Sequence, residues 1–299
     1  MISKISFLII LLFAMSCKNT DQQNEQKNTV TPLTIMSFNV LYSTSVESTI
    51  LTIAETGADI TGLQEASEER IRQVADSLDL YHHSFDKTSG NLSDNDTGIL
   101  SKYPIKNKLH DGVIIELPGE EKIAVFSIHL SPYPYEPYDI RDEKIKTPGE
   151  AVYSASGTRM PEINPVIVTI DSLLNEGMPV FLTGDFNEPS HLDWTAKTAD
   201  NNMHFSMEVE WPVSAAVVKS GLKDAYREVY PDEVSKNGIT WTTNRSENEV
   251  YDRIDFVYHN LQGIWKTKSV ARVGRPDNEG SIKIPGYESD HFAVIATYH

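Results

Sequence analysis

One cysteine, Cys17, is the whole thiol content of this 299-residue chain. Without a second there is no intrachain disulfide and no cysteine-rich metal site, and if Cys17 is modified no thiol nucleophile remains. Long hydrophobic runs are scarce as well. The stretch Ile5 to Ala14, preceded by Lys4, is too short to span a bilayer and reads as a secretory signal, with a transmembrane anchor as the alternative. Basic residues are in deficit: 26 Lys and Arg stand against 43 Asp and Glu, and removal of residues 1–16 takes away Lys4 and no acid, leaving 25 against 43 and a formal charge of −18. Such a surface repels polyanions on average. This disfavours a sequence-independent grip on nucleic acid but leaves room for a local cationic groove or bound divalent ions. Apolar content is not lacking: 39% hydrophobic residues over this length suffice for a large core, so disorder is expected only near the N-terminus.

The stretch Phe13-Ala14-Met15-Ser16-Cys17 resembles the lipobox of bacterial lipoproteins, in which the signal is cut before a cysteine that then carries lipid. Residues 1–16 would be the signal, and residues 17–31 the lipidated Cys17 followed by a polar tether that can bury nothing. The resemblance implies a lipid-anchored protein of the cell envelope, at its periplasmic or cell-surface face, touching membrane through Cys17.

No repeat, low-complexity tract or linker divides residues 32–299, which are read as one domain, expected as a monomer. Strand and helix signals alternate. Leu33 to Val40 reads as a strand; Val46, Ile50 and Ile53 fall at helical spacing behind the possible caps Thr44 and Ser45, with Gly57 as the stop. Asp59 to Gln64 is a strand running into Glu65, and Ser67 caps a helix with Ile71, Val74, Ala75 and Leu78 on one face. Ile99 to Leu100, Val113 to Leu117 and Lys122 to Ser131 are further strands, the last carrying His129. Pro132 to Thr158 reads as a long irregular loop holding Tyr133, Tyr135 and Tyr138, either functional or a solvated insertion. A helix with Val166, Ile170, Leu173 and Leu174 ends at Gly177, Ser190 is placed to cap a short helix containing Trp194, and Val213 to Lys219 is another. Arg253 to His259 and His291 to Tyr298 close the chain as strands. Strands outnumber helices, which points to an α/β protein with large sheets.

The chemistry gathers at strand ends. Val180, Phe181 and Leu182 form an apolar run, Gly184 lets the chain turn, and Asp185 and Asn187 follow. Taken alone this is also an ordinary Gly-Asp turn. Asn39, Glu65, His129, Asp185, Asn187, Asp255, Asp290 and His291 together are another matter: all are oxygen or imidazole donors at expected strand ends. Hard divalent cations such as Mg²⁺ or Mn²⁺ take carboxylates and amide oxygens, whereas zinc would ask for closely spaced His or Cys. Hydrolysis of a phosphoester needs this inventory: a cation on the phosphoryl oxygens, a carboxylate for water and a donor for developing charge.

In order, Ser37-Phe38-Asn39-Val40, Leu63-Gln64-Glu65, Ile99 to Ile105, Ser127-Ile128-His129-Leu130, Gly184-Asp185-Phe186-Asn187, Thr240-Trp241, Arg253-Ile254-Asp255-Phe256 and Ser289-Asp290-His291 resemble the motifs of the endonuclease/exonuclease/phosphatase superfamily. The resemblance covers roughly residues 33–298. It implies a four-layered α/β/β/α sandwich, two mixed sheets face to face with helices outside, and a Mg²⁺- or Mn²⁺-dependent site at one rim that hydrolyses a phosphoester by water attack. By that resemblance Glu65 would be the principal metal ligand with Asn39 beside it and Asp290 in support. Asp185 would orient the water, Asn187 would hold Asp185 and the phosphate, and His291, kept protonated by Asp255, would face the phosphate with His129. Asn95-Asp96-Thr97-Gly98 departs from the pattern and leaves the acid partner of His129 open, and the Pro132 to Thr158 insertion, with its three tyrosines, is expected to shape the substrate pocket. The substrate type stays open. A phosphodiesterase acting on a small ester, an extracellular DNA or RNA nuclease, and a silent binding lipoprotein are the competing functions, the last opposed by the presence of all eight site residues.

Overall fold

The first strand explains the layering. In the computed structural model, which describes residues 32–85, 97–244, 246–276 and 282–299, Leu33 and Ile35 of this strand join one apolar cluster while Met36 and Phe38 join another. Successive side chains of a strand point to opposite faces, so a strand apolar at both parities must be covered on both sides. The signal, Cys17 and the tether lie outside the described residues, as do Asn95 and Asp96. Among the described residues no helix is long and apolar enough to cross a membrane.

In chain order the elements are β1 Leu33–Asn39, α1 Val46–Thr56, β2 Ile60–Gln64, α2 Glu68–Leu78, β3 Tyr81–Ser84, β4 Gly98–Ser101, β5 Ile105–Leu109, β6 Gly112–Glu116 and β7 Lys122–His129. Then come α3 Glu136–Arg141, α4 Pro148–Thr158, α5 Met160–Asn175, β8 Val180–Asp185, α6 Ala196–Asp200, α7 Pro212–Lys219, β9 Lys223–Asp224, α8 Ala225–Val229, β10 Asp255–Asn260, β11 Thr267–Gly274, β12 Ile282–Lys283 and β13 Ala293–Tyr298. A seven-stranded sheet runs β12-β11-β13-β1-β2-β4-β3 and a six-stranded one β5-β6-β7-β8-β10-β9. Both are mixed: β1 pairs β2 in parallel and β13 antiparallel, and β8 pairs β7 in parallel and β10 antiparallel.

The sheets face one another across a cluster that joins Ile35, Ile60 and Val294 to Val125, Phe181 and Val257. Outside, α1 and α2 cover the first sheet through Ile53, Ile71 and Val74 against Met36 and Phe38, and α5 and α7 cover the second through Ile163, Val166 and Val213 against Phe126, Leu182 and Phe256. This is the expected four-layered sandwich. Each fully buried Phe, Leu or Ile in it contributes about 1.5–3 kcal/mol of transfer free energy. The sheets approach so closely at Gly62 that a Cβ there would sit 1.9 Å from Thr183 Oγ1.

The helix ends follow the sequence signals. Ser45 accepts a hydrogen bond from Ser48 N, Ser67 accepts one from Arg70 N, and Gly57, at φ 66°, turns the chain out of α1. Two expectations need correction. The Pro132 to Thr158 insertion is not an irregular loop: α3 and α4 occupy most of it, α4 behind a capping box of Thr147 and Glu150, and they pack Ile140, Ala151 and Ala155 on Trp194, Val209 and Trp211. Ser190 caps no helix around Trp194. Its hydroxyl accepts Leu192 N in a turn, and the helix that follows, α6, starts after Thr195.

Candidate active site

Strand parity and register assemble the site. On the inner face of the sandwich Asn39 ends β1, His129 ends β7, Asp185 ends β8 and Asp255 opens β10. Asp185 lies opposite His129 across the β7–β8 ladder and opposite Asp255 across β8–β10. The sites foreseen at separate strand ends therefore meet at one rim, where β-sheet chemistry in α/β folds is generally found.

Asp185, 1% exposed, is the hub. Its Oδ2 accepts the Asn39 amide at 2.9 Å and lies 3.7 Å from both His129 Nε2 and His291 Nε2. Its Oδ1 accepts the backbone N–H of Asn187 at 2.9 Å, a geometry reached through the left-handed backbone of Asn187, φ 46°. The Asn187 side-chain nitrogen donates to the carbonyl of Leu130, so Asn187 holds Asp185 through its backbone.

His291 Nδ1 meets Asp255 Oδ2 at 2.9 Å, and Trp241 lies beside the ring at 4.8 Å between centroids. Burial alone disfavours an imidazolium, but the carboxylates of Asp255 and Asp185 outweigh it and raise the His291 pKa to about 10. Burial pushes the Asp255 carboxyl up to about 6, against the pull of His291. Around neutrality the two form an ion pair. Asp185, Asp255 and His291 present polar atoms within 4.8 Å of one another, yet a cationic His291 already supplies the positive charge there.

Glu65 follows β2 in a left-handed conformation, φ 56°, that turns it toward the cleft. Its oxygens accept the Asn39 amide at 3.0 Å and the Tyr42 backbone N–H at 3.2 Å. Asn39 Oδ1 accepts Leu41 N at 3.0 Å and keeps a second lone pair, while its nitrogen bridges Glu65 and Asp185. With the Leu41 N–H at its oxygen, the Asn39 amide turns its nitrogen to both carboxylates and positions them.

Glu65, His129, Asp185, Asn187, Asp290 and His291 all line one cavity of about 360 Å³. Tyr133, Tyr135 and Tyr138 of the insertion line it too. Tyr133 is 71% exposed at the rim, whereas Tyr135 is buried with its hydroxyl on Asp252 Oδ2 at 2.8 Å and Tyr138 donates to Glu249 Oε1 at 2.6 Å. His129 Nδ1 is buried without a hydrogen-bond partner among the described residues. Four lining residues escaped sequence reasoning as site residues: Tyr42, Pro132, Trp241 and Ile254. Trp241 had a signal in its Thr240-Trp241 pair; Tyr42 had none, since only the turn after β1 brings it beside Glu65.

The donor set suits a hard cation. Asp290 Oδ1 is buried with no hydrogen-bond partner among the described residues, Glu65 lines the same cavity, both are carboxylates, and among the described residues no sulfur atom lines that cavity.

The sequence model of the Endonuclease/Exonuclease/phosphatase family matches residues 36–291, and the chain belongs to that family, whose members share divalent-metal-dependent phosphoester hydrolysis as their reaction class. An uncharacterised protein of Caenorhabditis elegans is 28% identical over 323 aligned positions, covering 100% of this chain and 99% of that protein. In fold, the chain is similar to TDP2 of C. elegans, with a TM-score of 0.56, 17% identity and coverage of 89% of this chain and 75% of that one. It is likewise similar to a mannosyl-6-phosphatase of Bacteroides thetaiotaomicron, at 0.53, 15%, 89% and 99%.

Proposed function

We propose that the protein is a Mg²⁺- or Mn²⁺-dependent phosphoester hydrolase, held outside the cytoplasm by lipid on Cys17. The observation that carries the reading is the convergence of Asp185, His129 and the Asp255–His291 pair with Glu65 and Asp290 on one cavity. Glu65 and Asp290 would hold the cation. When bound, it supplies positive charge to the non-bridging phosphoryl oxygens.

This chain's own residues do the rest. Asp185, immobilised by Asn39 and Asn187 N, orients a water on the phosphorus and accepts its proton as the new P–O bond forms and the ester P–O bond breaks; the leaving oxygen takes up a proton. The imidazoles of His291 and His129 face the phosphoryl group as N–H donors, and Asp255 keeps His291 cationic throughout. The name of the phosphatase with a similar fold supports the reaction class. The lipobox-like Phe13 to Cys17 supports the address.

The test is turnover of bis(p-nitrophenyl) phosphate, a diester, and of p-nitrophenyl phosphate, a monoester, by the purified protein with Mg²⁺, with Mn²⁺ and with EDTA. Turnover that needs either ion supports the reading. Absence of turnover in all three, or restoration by Zn²⁺ alone, contradicts it.

A further inference from the structure

The reaction proposed above leaves the substrate open, and the walls of the cavity narrow it. One wall is aromatic and rigid. Tyr135 and Tyr138 meet edge to face at 4.8 Å, Trp241 Nε1 reaches the Tyr138 hydroxyl at 3.3 Å, and Tyr138 and Tyr135 are tied to Glu249 and Asp252. Arg141 clamps the same helix to the facing loop through the Asn248 carbonyl at 2.5 Å. Behind the wall, fully buried Arg159 donates to the carbonyls of Ser131 and Pro134 and to Glu136 at 2.5–2.9 Å, which sets the path of the segment bearing Tyr133 and Tyr135. The insertion therefore closes one side of the cleft.

Charge narrows the choice further. Among the described residues no Lys or Arg lines the cavity. Among the described residues the guanidinium groups around it are committed to the protein: Arg70 to carbonyls of Leu41, Tyr42 and Thr44, Arg275 to Thr243 and Asn244, and Arg141 to Asn248. A nucleic-acid strand brings phosphates on either side of the one being cut, and its binding rests on cations that neutralise them. Among the described residues lining the cavity, positive charge stands only where the scissile phosphate would lie. The volume agrees, since about 360 Å³ stands at the low end of small-molecule sites, which run from about 300 to 1,000 Å³.

Resting on the phosphoester-hydrolase reading, we infer that the substrate is a compact ester with one phosphoryl group and one ring, a sugar phosphate or a mononucleotide, whose ring lies against Tyr133 and the Trp241–Tyr138 wall. Aromatic faces take the apolar face of a sugar and the face of a base alike. Water adds to phosphorus, the ester P–O bond breaks, the ester oxygen leaves with a proton as the alcohol of the ring compound, and inorganic phosphate is released.

The test measures kcat/KM of the full chain, with Mn²⁺, on glucose 6-phosphate, adenosine 5′-monophosphate, glycerol 2-phosphate, a single-stranded oligonucleotide and plasmid DNA, beside bis(p-nitrophenyl) phosphate. At least one ring ester should exceed both polymers at least tenfold, and which one wins tells sugar from nucleoside. Tyr133→Ala, at an exposed position that the fold does not need, should raise KM for that ester about fivefold more than for glycerol 2-phosphate, with kcat little changed. Oligonucleotide cleavage as efficient as ring-ester cleavage overturns the inference while leaving the hydrolase intact. So does a Tyr133→Ala enzyme with unaltered KM for the ring ester. No turnover of any ester, bis(p-nitrophenyl) phosphate included, overturns the hydrolase reading and this inference with it.

Discussion

His291 Nδ1 and Asp255 Oδ2 stand 2.9 Å apart at full burial, one from the segment before β13 of the first sheet and the other from the start of β10 of the second. The ion pair thus stitches the two sheets together at the catalytic rim, and its two members should behave as one unit. His291→Ala is expected to lower kcat about a hundredfold, as loss of a transition-state donor does. Asp255→Asn should also lower it, and the double variant should be little worse than His291→Ala alone. Losses that multiply would separate the two.

Gly62 stands where the sheets come closest. A methyl there meets Thr183 Oγ1 at 1.9 Å and Ser127 Oγ at 3.0 Å. Gly62→Ala should destabilise the protein by about 1–3 kcal/mol, and Thr183→Ala in the same chain should recover part of that. Denaturant unfolding of Gly62→Ala, Thr183→Ala and the double variant measures it.

Glu188 sits fully buried after the Asp185 turn, with one oxygen on Val213 N and the other without a partner among the described residues. Burial pushes its carboxyl up to about 8, with Arg159 pulling the other way. A folded-state value above the unfolded one, about 4.5, means the folded protein binds the extra proton. The contribution is full below the unfolded value and is lost as pH rises through about 8, by a few kcal/mol in order of magnitude. Glu188→Gln, which keeps the hydrogen bond to Val213, should remove that part of the decline in stability between pH 5 and 8.5. An unchanged slope in the variant would show Glu188 ionised in the folded state.

Cys17→Ser should leave the precursor uncleaved or shift the protein out of the membrane fraction, because one residue would carry the lipid. Unchanged partition would mean another anchor.

Local signals in the sequence were the legible ones. Ser45, Gly57 and Ser67 act on the backbone within four residues, so their caps could be placed from the chain alone. The chemistry of Asp185, His129 and Asp255 was visible in motifs, but their register, which sets all three side by side, depends on pairing between strands far apart in the chain. Strands with weak apolar alternation escaped. Ile-Lys-Asn-Lys-Leu of β5 and Thr-Lys-Ser-Val-Ala-Arg-Val-Gly of β11 carry charge where a half-buried strand would show it less. Helix α4 was hidden by its opening Pro-Gly and its internal Gly157, although Thr147 and Glu150 at capping-box spacing were there to be read. The bridge from the Asn39 amide to Glu65 and Asp185 could not be read from the chain, since it joins side chains from β1, the end of β2 and β8.

The division of labour between Asp185 and Glu65 is the central claim, and isosteric amides test it directly. With bis(p-nitrophenyl) phosphate as substrate, kcat at saturating Mn²⁺ should fall at least a hundredfold in Asp185→Asn with the Mn²⁺ requirement little changed. Glu65→Gln should instead raise the Mn²⁺ concentration for half-maximal rate at least tenfold. If Asp185→Asn turns over normally at saturating Mn²⁺, or Glu65→Gln needs no more ion than the native protein, the assignment of water to one carboxylate and metal to the other is wrong.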